Sequence, residues 1–160
     1  MPRRYVCAFD QVTVSAAQDL FEITGGSAKL CEIIELFIGG KLDITTVGGD
    51  QNALTMKRYT GTYTTGAGGS TITPRPLDPG DAAATFTCKA NETTRTVVNT
   101  GTVVTLPCMN FNWVGNGFLW LPTPRSTIFL PASSAIVVGL ETPPAASTGV
   151  SGYVIVEEIG

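Results

Sequence analysis

The chain has 160 residues, enough for one domain with a sizeable buried core, yet only 14% of them are charged and the net charge is −3. Its ten Lys and Arg are scattered without forming a basic stripe, which argues against a reader of phosphate backbones, and no apolar run approaches the ~18 residues of a membrane span. Histidine is absent, so neither a Ser-His nor a Cys-His nucleophile pair can be built.

Threonine occurs 23 times and glycine 18 times. Threonine is branched at Cβ and suits a pleated, half-buried surface, so composition points to sheet before periodicity is considered. The first extended segment runs from Arg4 to Ser15, with Tyr5, Cys7 and Phe9 on one face. At Asp10-Gln11 the apolar parity shifts to Val12 and Val14, which predicts a bulge or a change of sheet. Asp19 to Thr24 follows, with Phe21 and Ile23 facing one way. Lys29 to Ile38 places Leu30, Ile34, Leu36 and Ile38 on one side and Cys31, Ile33 and Phe37 on the other. Helical spacing would also align Leu30, Ile33, Ile34 and Phe37; the short length, the isoleucines and the Gly39-Gly40 boundary favour strand. Leu42 to Val47 and Asn52 to Tyr63 are two more strands, divided by Gly48-Gly49.

From Thr64 to Ala84 three prolines and four glycines work against regular pairing over most of the stretch. A loop of that length in a small domain is usually functional, here an arm for a neighbour. Strands are expected again at Ala84 to Lys89, Arg95 to Val98, Thr102 to Leu106, Asn110 to Trp113, Gly117 to Leu121, Ser126 to Leu130, Ala135 to Leu140 and Gly152 to Ile159. Asn116-Gly117 is the strongest hairpin signal, and Asn91-Glu92-Thr93 reads as a turn. The whole is one all-β domain, residues 1–160, with a long Gly/Pro-rich loop at about 64–84.

The residues that could carry chemistry do not converge. Gly39-Gly40-Lys41 is followed by Leu42 where a phosphate loop needs Ser or Thr. Glu32 and Glu35, like Glu157 and Glu158, should point to opposite faces of a strand. Asp78 and Asp81, in the turn-forming PLDPGD sequence, suit capping of backbone N–H groups better than a calcium loop. Cys7, Cys31, Cys88 and Cys108 have no paired metal spacing, and the N-terminus lacks the apolar stretch of an export signal. They read as reduced, small apolar side chains, with a disulfide of unreadable connectivity as the alternative. Trp113, Phe118 and Trp120 fit a core better than a sugar-stacking platform. No catalytic, cofactor-binding or metal residue is therefore expected, and the chain is not expected to be an enzyme. Ala135 to Leu140 and the closing strand are apolar on both faces. Two origins stay open for that pattern: central strands in a thick core, or a subunit interface.

The segments VSAAQDLFEIT (14–24), TPRPLDPGDAAA (73–84) and GYVIVEEIG (152–160) resemble a group of small tailed-bacteriophage virion proteins. The resemblance spans most of the chain and is architectural. It implies a single-domain antiparallel β-sandwich, jelly-roll-like, used as a capsid decoration or cement protein. The expected partners are the major capsid protein and copies of the chain itself, as a trimer, with no nucleic acid and no membrane. The expected location is the capsid surface of the virion, after synthesis in the host cytoplasm. Candidate contacts are Arg3 and Arg4 at the N-terminus, Thr73, Pro74, Arg75, Pro76, Leu77 and Asp78 in the loop, and Tyr153 and Ile155 in the last strand. The rival readings are a receptor- or glycan-binding module of a head or tail fibre, and a tail-tube or connector component.

Overall fold

Alternation of inward apolar and outward polar side chains along β-branched runs yields strands throughout, and no α-helix forms among the described residues. The computed structural model describes residues 2–41, 51–112 and 117–160. The expected strand Leu42–Val47, its Gly48-Gly49 boundary, Trp113 and Asn116 lie outside them.

One sheet contains β1 (Arg3–Val14), β3 (Leu30–Lys41), β14 (Thr148–Ile159), β11 (Phe118–Trp120), β12 (Ile128–Leu130) and β7 (Arg75–Pro76). Its order is β11-β3-β14-β1-β7, with β12 pairing β3 beyond β11. The other contains β2 (Gln18–Thr24), β4 (Gln51–Thr60), β10 (Thr102–Asn112), β13 (Ala135–Leu140), β8 (Thr87–Glu92) and β6 (Ser70–Ile72), in the order β10-β4-β13-β2-β8-β6. A two-stranded ribbon pairs β5 (Tyr63–Thr64) with β9 (Val97–Val98). All pairings are antiparallel. Chain tracing from β1 to β4 changes sheet at every step, and tracing from β10 to β14 does so too once β11 and β12, which pair successively with β3, are counted as one position. With β4 and β10 adjacent, this is the connectivity of a jelly roll.

Residues 61–101 form an excursion from the β4–β10 junction. Its two ends meet where the Thr62 carbonyl accepts the amides of Asn99 (3.1 Å) and Gly101 (3.0 Å). A Cβ at Gly101 would lie 2.2 Å from the Thr60 carbonyl oxygen, so only glycine passes through this neck. The excursion includes the Gly/Pro-rich loop, and it is no free arm. Its β6 extends the second sheet beside β8, and its β7 extends the first beside β1. These short pairings cost little loop entropy, because proline and glycine place the backbone at sheet edges, where missing donors are tolerated. Residues 82–86 then close the side of the sandwich. The Tyr5 hydroxyl donates to the Ala82 carbonyl (2.9 Å), and Phe86 packs edge-on against Tyr5 at 5.7 Å.

The core lies between the sheets and includes Tyr5, Cys7, Phe21, Ile23, Leu36, Ile38, Leu54, Met56, Ile136, Val138, Val154 and Val156, all at most 1% exposed. The bulge expected at Asp10-Gln11 is present: register shifts between Phe9 and Val12, and Gln11 takes φ 53°. A second bulge, at Ile34, was not visible in the sequence. It reverses the face assignment along β3, so Cys31 and Ile33 point inward with Leu36 and Ile38, while Phe37 points outward. Glu32 and Glu35 consequently share the outer face, correcting their expected divergence.

Three further expectations change. Asn91-Glu92 is not a turn but the buried end of β8, with Asn91 at φ 58°. The two strands expected at 102–106 and 110–113 are one, β10, bulged between Thr105 and Cys108. The strands flanking Asn116-Gly117, β10 and β11, belong to opposite sheets and so do not pair as a hairpin, Asn116 itself lying outside the described residues. Cys7, Cys31 and Cys88 are buried free thiols, and Cys108 is a free thiol at the surface.

Leu36→Ala should cost roughly 2–5 kcal/mol by loss of buried contacts and the cavity left behind. Leu119→Ala, on a side chain 51% exposed, should stay within about 0.5 kcal/mol of the wild type. Urea unfolding monitored by tryptophan fluorescence measures both.

Candidate interaction surface

Strands β13 and β14 are each central in their sheet, and both are apolar on both sides. For β13 the chain supplies its own cover. The β5–β9 ribbon lays Tyr63 and Val98 over Tyr59, Ala135 and Val137 on the outer face of the second sheet. Tyr59 and Tyr63 pack at 5.9 Å, and the Tyr59 hydroxyl donates to the Thr96 carbonyl (3.3 Å).

Ion pairs hold that excursion down. Arg95 reaches across the sheet to Asp19 (3.1 Å) and bidentately to Glu141 (2.8 and 2.9 Å), which also accepts from Lys57 (2.7 Å) and Thr55. The Arg95 guanidinium holds the Glu141 carboxyl well below its usual range against the opposing effect of burial. Asp19 accepts the Thr96 amide (2.6 Å), and Glu22 accepts the Gly66 amide (3.0 Å) and the Thr96 hydroxyl (2.5 Å). Glu92, 2% exposed, pairs with Lys89 at 3.3 Å but leaves Oε2 without a donor. Burial, then the neighbouring Glu22, pushes its carboxyl up to about 7. Gly66 allows this proximity, since a Cβ there would lie 2.3 Å from Glu92 Oε2. The carboxylates of Asp19 and Glu22 sit at 1% exposure beneath the excursion and fasten it, and Glu92, within the excursion, is 2% exposed, so all three are closed to substrate.

Among the described residues no such cover lies over β14. Its inward Val154 and Val156 are sealed, but Tyr153 and Ile155 remain half-exposed on the outer face. Strand registers arrange that face in rows. One row runs Arg75 (β7), Val6 (β1), Ile155 (β14), Glu35 (β3). The next runs Ala8, Tyr153, Phe37, Leu119. A third runs Arg4, Glu157, Glu32, Phe129. Phe37 and Tyr153 stack at 5.5 Å. The Tyr153 hydroxyl donates to Glu35 (2.5 Å), and this carboxylate, followed by burial, raises the phenol above its ordinary range. Arg4 pairs with Glu157 at 2.6 Å. Leu119 and Phe129 are exposed, as is Leu121 just beyond β11.

Most of the sequence-derived contact residues gather at this sheet. The β7–β1 pairing joins the loop to the N-terminus, with the Leu77 amide donating to the Arg4 carbonyl (2.9 Å) and Arg3 pairing with Asp81 (3.4 Å). Arg75 continues the face that holds Tyr153 and Ile155. Asp78 caps its own turn, accepting from Gly80 (2.9 Å), as the turn sequence predicts. Thr73 and Pro74 lead into β7, Thr73 exposed and Pro74 half-buried. Reasoning from the sequence missed Val6, Ala8, Glu35 and Phe37; the period of two in β1 marked the first two, and the Ile34 bulge hid the others. Phe118 and Trp120 pack against the core, as expected of them.

Comparison of the chain with protein-family models, curated proteins and solved structures returns no match.

Arg95→Met leaves Asp19 with the Thr96 amide and Glu141 with Lys57 and Thr55 as donors, and should cost about 1–3 kcal/mol through the lost charged hydrogen bonds. Limited proteolysis of the variant should cut first within 61–101. Glu92 also gives a pH signature. Its folded carboxyl titrates near 7 against an ordinary 4.5, so its contribution is full below pH 4.5 and is lost as pH rises through 7. Glu92→Gln cannot ionise. It should flatten the decline in stability between pH 5 and pH 8, and should melt above the wild type at pH 8, measured by calorimetry.

Proposed function

We propose that this chain is a structural protein of a tailed-phage particle, a capsid decoration or cement protein that binds the outside of the head shell and reinforces it. The observation that carries the reading is the asymmetry of the sandwich. One sheet has its outer face closed by the chain's own excursion, while the other presents Val6, Ile155, Tyr153, Phe37 and Leu119 with no cover among the described residues. A face of that kind on a chain with 14% charged residues suits packing against other chains. The major capsid protein and further copies of the chain are the partners this reading names.

The physics of decoration agrees with the architecture. A shell repeats the same site many times, so a symmetric oligomer gains avidity without strong single contacts. A sandwich cross-linked by strand ladders resists shear, and a proline-stiffened loop already pinned at β7 loses little entropy on docking.

One observation favours the rival glycan-binding module. A cleft of about 480 Å³ opens at the β1 bulge, between Phe9, Val12, Gln18, Ser70 and Asn91. Its amides, hydroxyls and single aromatic ring suit a neutral hydroxylated ligand. Quantitative mass spectrometry of purified virions separates these readings. Copies in the hundreds, with particles lacking the protein more easily disrupted by heat, are expected for decoration; about a dozen or fewer assign it to a fibre, tail or neck. Absence from mature particles refutes the virion reading altogether.

A further inference from the structure

We infer that the partner covering the β7-β1-β14-β3 face is a second copy of this chain, related by a two-fold axis parallel to the strands and midway between β1 and β14. The inference rests on reading this face as a packing surface, and it names what packs there.

The argument is the order of residues across the rows. A two-fold axis in that position lays β1 over the partner copy's β14 and β7 over its β3, while keeping each row opposite itself. In the first row Arg75 then stands over Glu35 of the other copy, and Val6 over Ile155, each contact made twice. In the second, Ala8 stands over Tyr153, so the largest outward side chain of β14 meets the smallest of β1. In the third, Arg4 stands over Glu157. Within these rows the cations, Arg75 and Arg4, lie on the β7 and β1 side and their opposite carboxylates, Glu35 and Glu157, on the β3 and β14 side, so both named charge contacts join opposite signs. Displacing the partner by one strand would set Arg75 over Ile155 or Val6 over Glu35, and the match would be lost.

The chemistry of each end supports the pairing. Arg75 makes no ion pair among the described residues of its own chain. Glu35 has one carboxylate oxygen held by the Tyr153 hydroxyl, which orients the group and leaves the other oxygen for a guanidinium. Stacked sheets lie about 10 Å apart, a gap that the long Arg and Glu side chains span together. The apolar centre of Val6, Ile155, Ala8 and Tyr153, ringed by charge, is the usual plan of a specific interface.

The test uses the full chain in sedimentation equilibrium and light scattering over a range of concentrations. The wild type should reach twice its 16.8 kDa mass. Arg75→Glu and Glu35→Arg should each raise the dissociation constant at least tenfold by setting like charges opposite each other. The double variant should restore the dimer, and so should an equimolar mixture of the two single variants, in which both cross-pairs are again of opposite sign. Ala8→Glu, at an exposed position that leaves the fold intact by circular dichroism, should give a monomer. A wild type that stays monomeric, a trimer, or a dimer indifferent to these changes overturns the inference. Particle abundance keeps the two readings apart. A monomer abundant in virions sinks the two-fold pair alone, whereas a dimer absent from virions sinks the proposed function alone.

Discussion

Strand β14 is hydrogen-bonded to β1 on one side and to β3 on the other, from Thr148 to Ile159 with only a bulge at each ladder. A strand so enclosed can direct its side chains only inward or outward. Inward, Val150, Val154 and Val156 meet residues of the facing sheet in a dry core. Outward, Tyr153, Ile155 and Glu157 define the surface of the molecule. Strand β13 stands in the same position between β4 and β2. A sandwich with two apolar-centred sheets thus has three layers to satisfy, the core and two outer faces, and among the described residues only one of those faces is covered. Residues 61–101 cover β13. The exposed face of β14 follows from that choice.

The excursion is fastened largely by buried ions. Taking Asp19, Glu22 and Glu92 out of water is expensive, and the donors from Arg95, Thr96, Gly66 and Lys89 offset the cost without removing it, as the raised Glu92 carboxyl records. An all-apolar contact would hold as well. Directional ion pairs add register: Arg95 engages Asp19 and Glu141 together only when the ribbon sits at one position on the sheet. The same excursion also adds β6 and β7 to the two sheet edges and brings Tyr5, Phe86 and the Ala82 carbonyl together. Exposed edges invite uncontrolled strand addition. On the β6 and β7 side both edges are capped by very short strands, which leaves the outer face of β14 as the larger apolar surface on that sheet.

An open face with ordered charges differs from an aggregation hazard. Rows that pair cation with carboxylate across an apolar centre accept one geometry and reject sliding by a strand. This is the kind of surface that the proposed two-fold pairing would use.

Local alternation determined much of this protein in advance. The change of parity from Phe9 to Val12 announced the β1 bulge, Val154 and Val156 separated from Tyr153 and Ile155, and the Pro-Leu-Asp-Pro-Gly-Asp run announced its capped turn. Each depends on a few neighbouring residues and on the two-residue period of the extended backbone. Where both faces of a strand are apolar that signal vanishes, so the bulge at Ile34, and with it the outward placement of Glu35 and Phe37, left no trace in KLCEIIELFI. Nor could local chemistry place β10 and β11 in opposite sheets, or pin Arg75-Pro76 beside Tyr5 and Val6. Those outcomes depend on partners tens of residues away. For the same reason the matching patterns of β13 and β14 were indistinguishable in one dimension. Only the folded chain, in which a distant ribbon reaches one and not the other, decided which was buried by its own molecule and which was left to face outward.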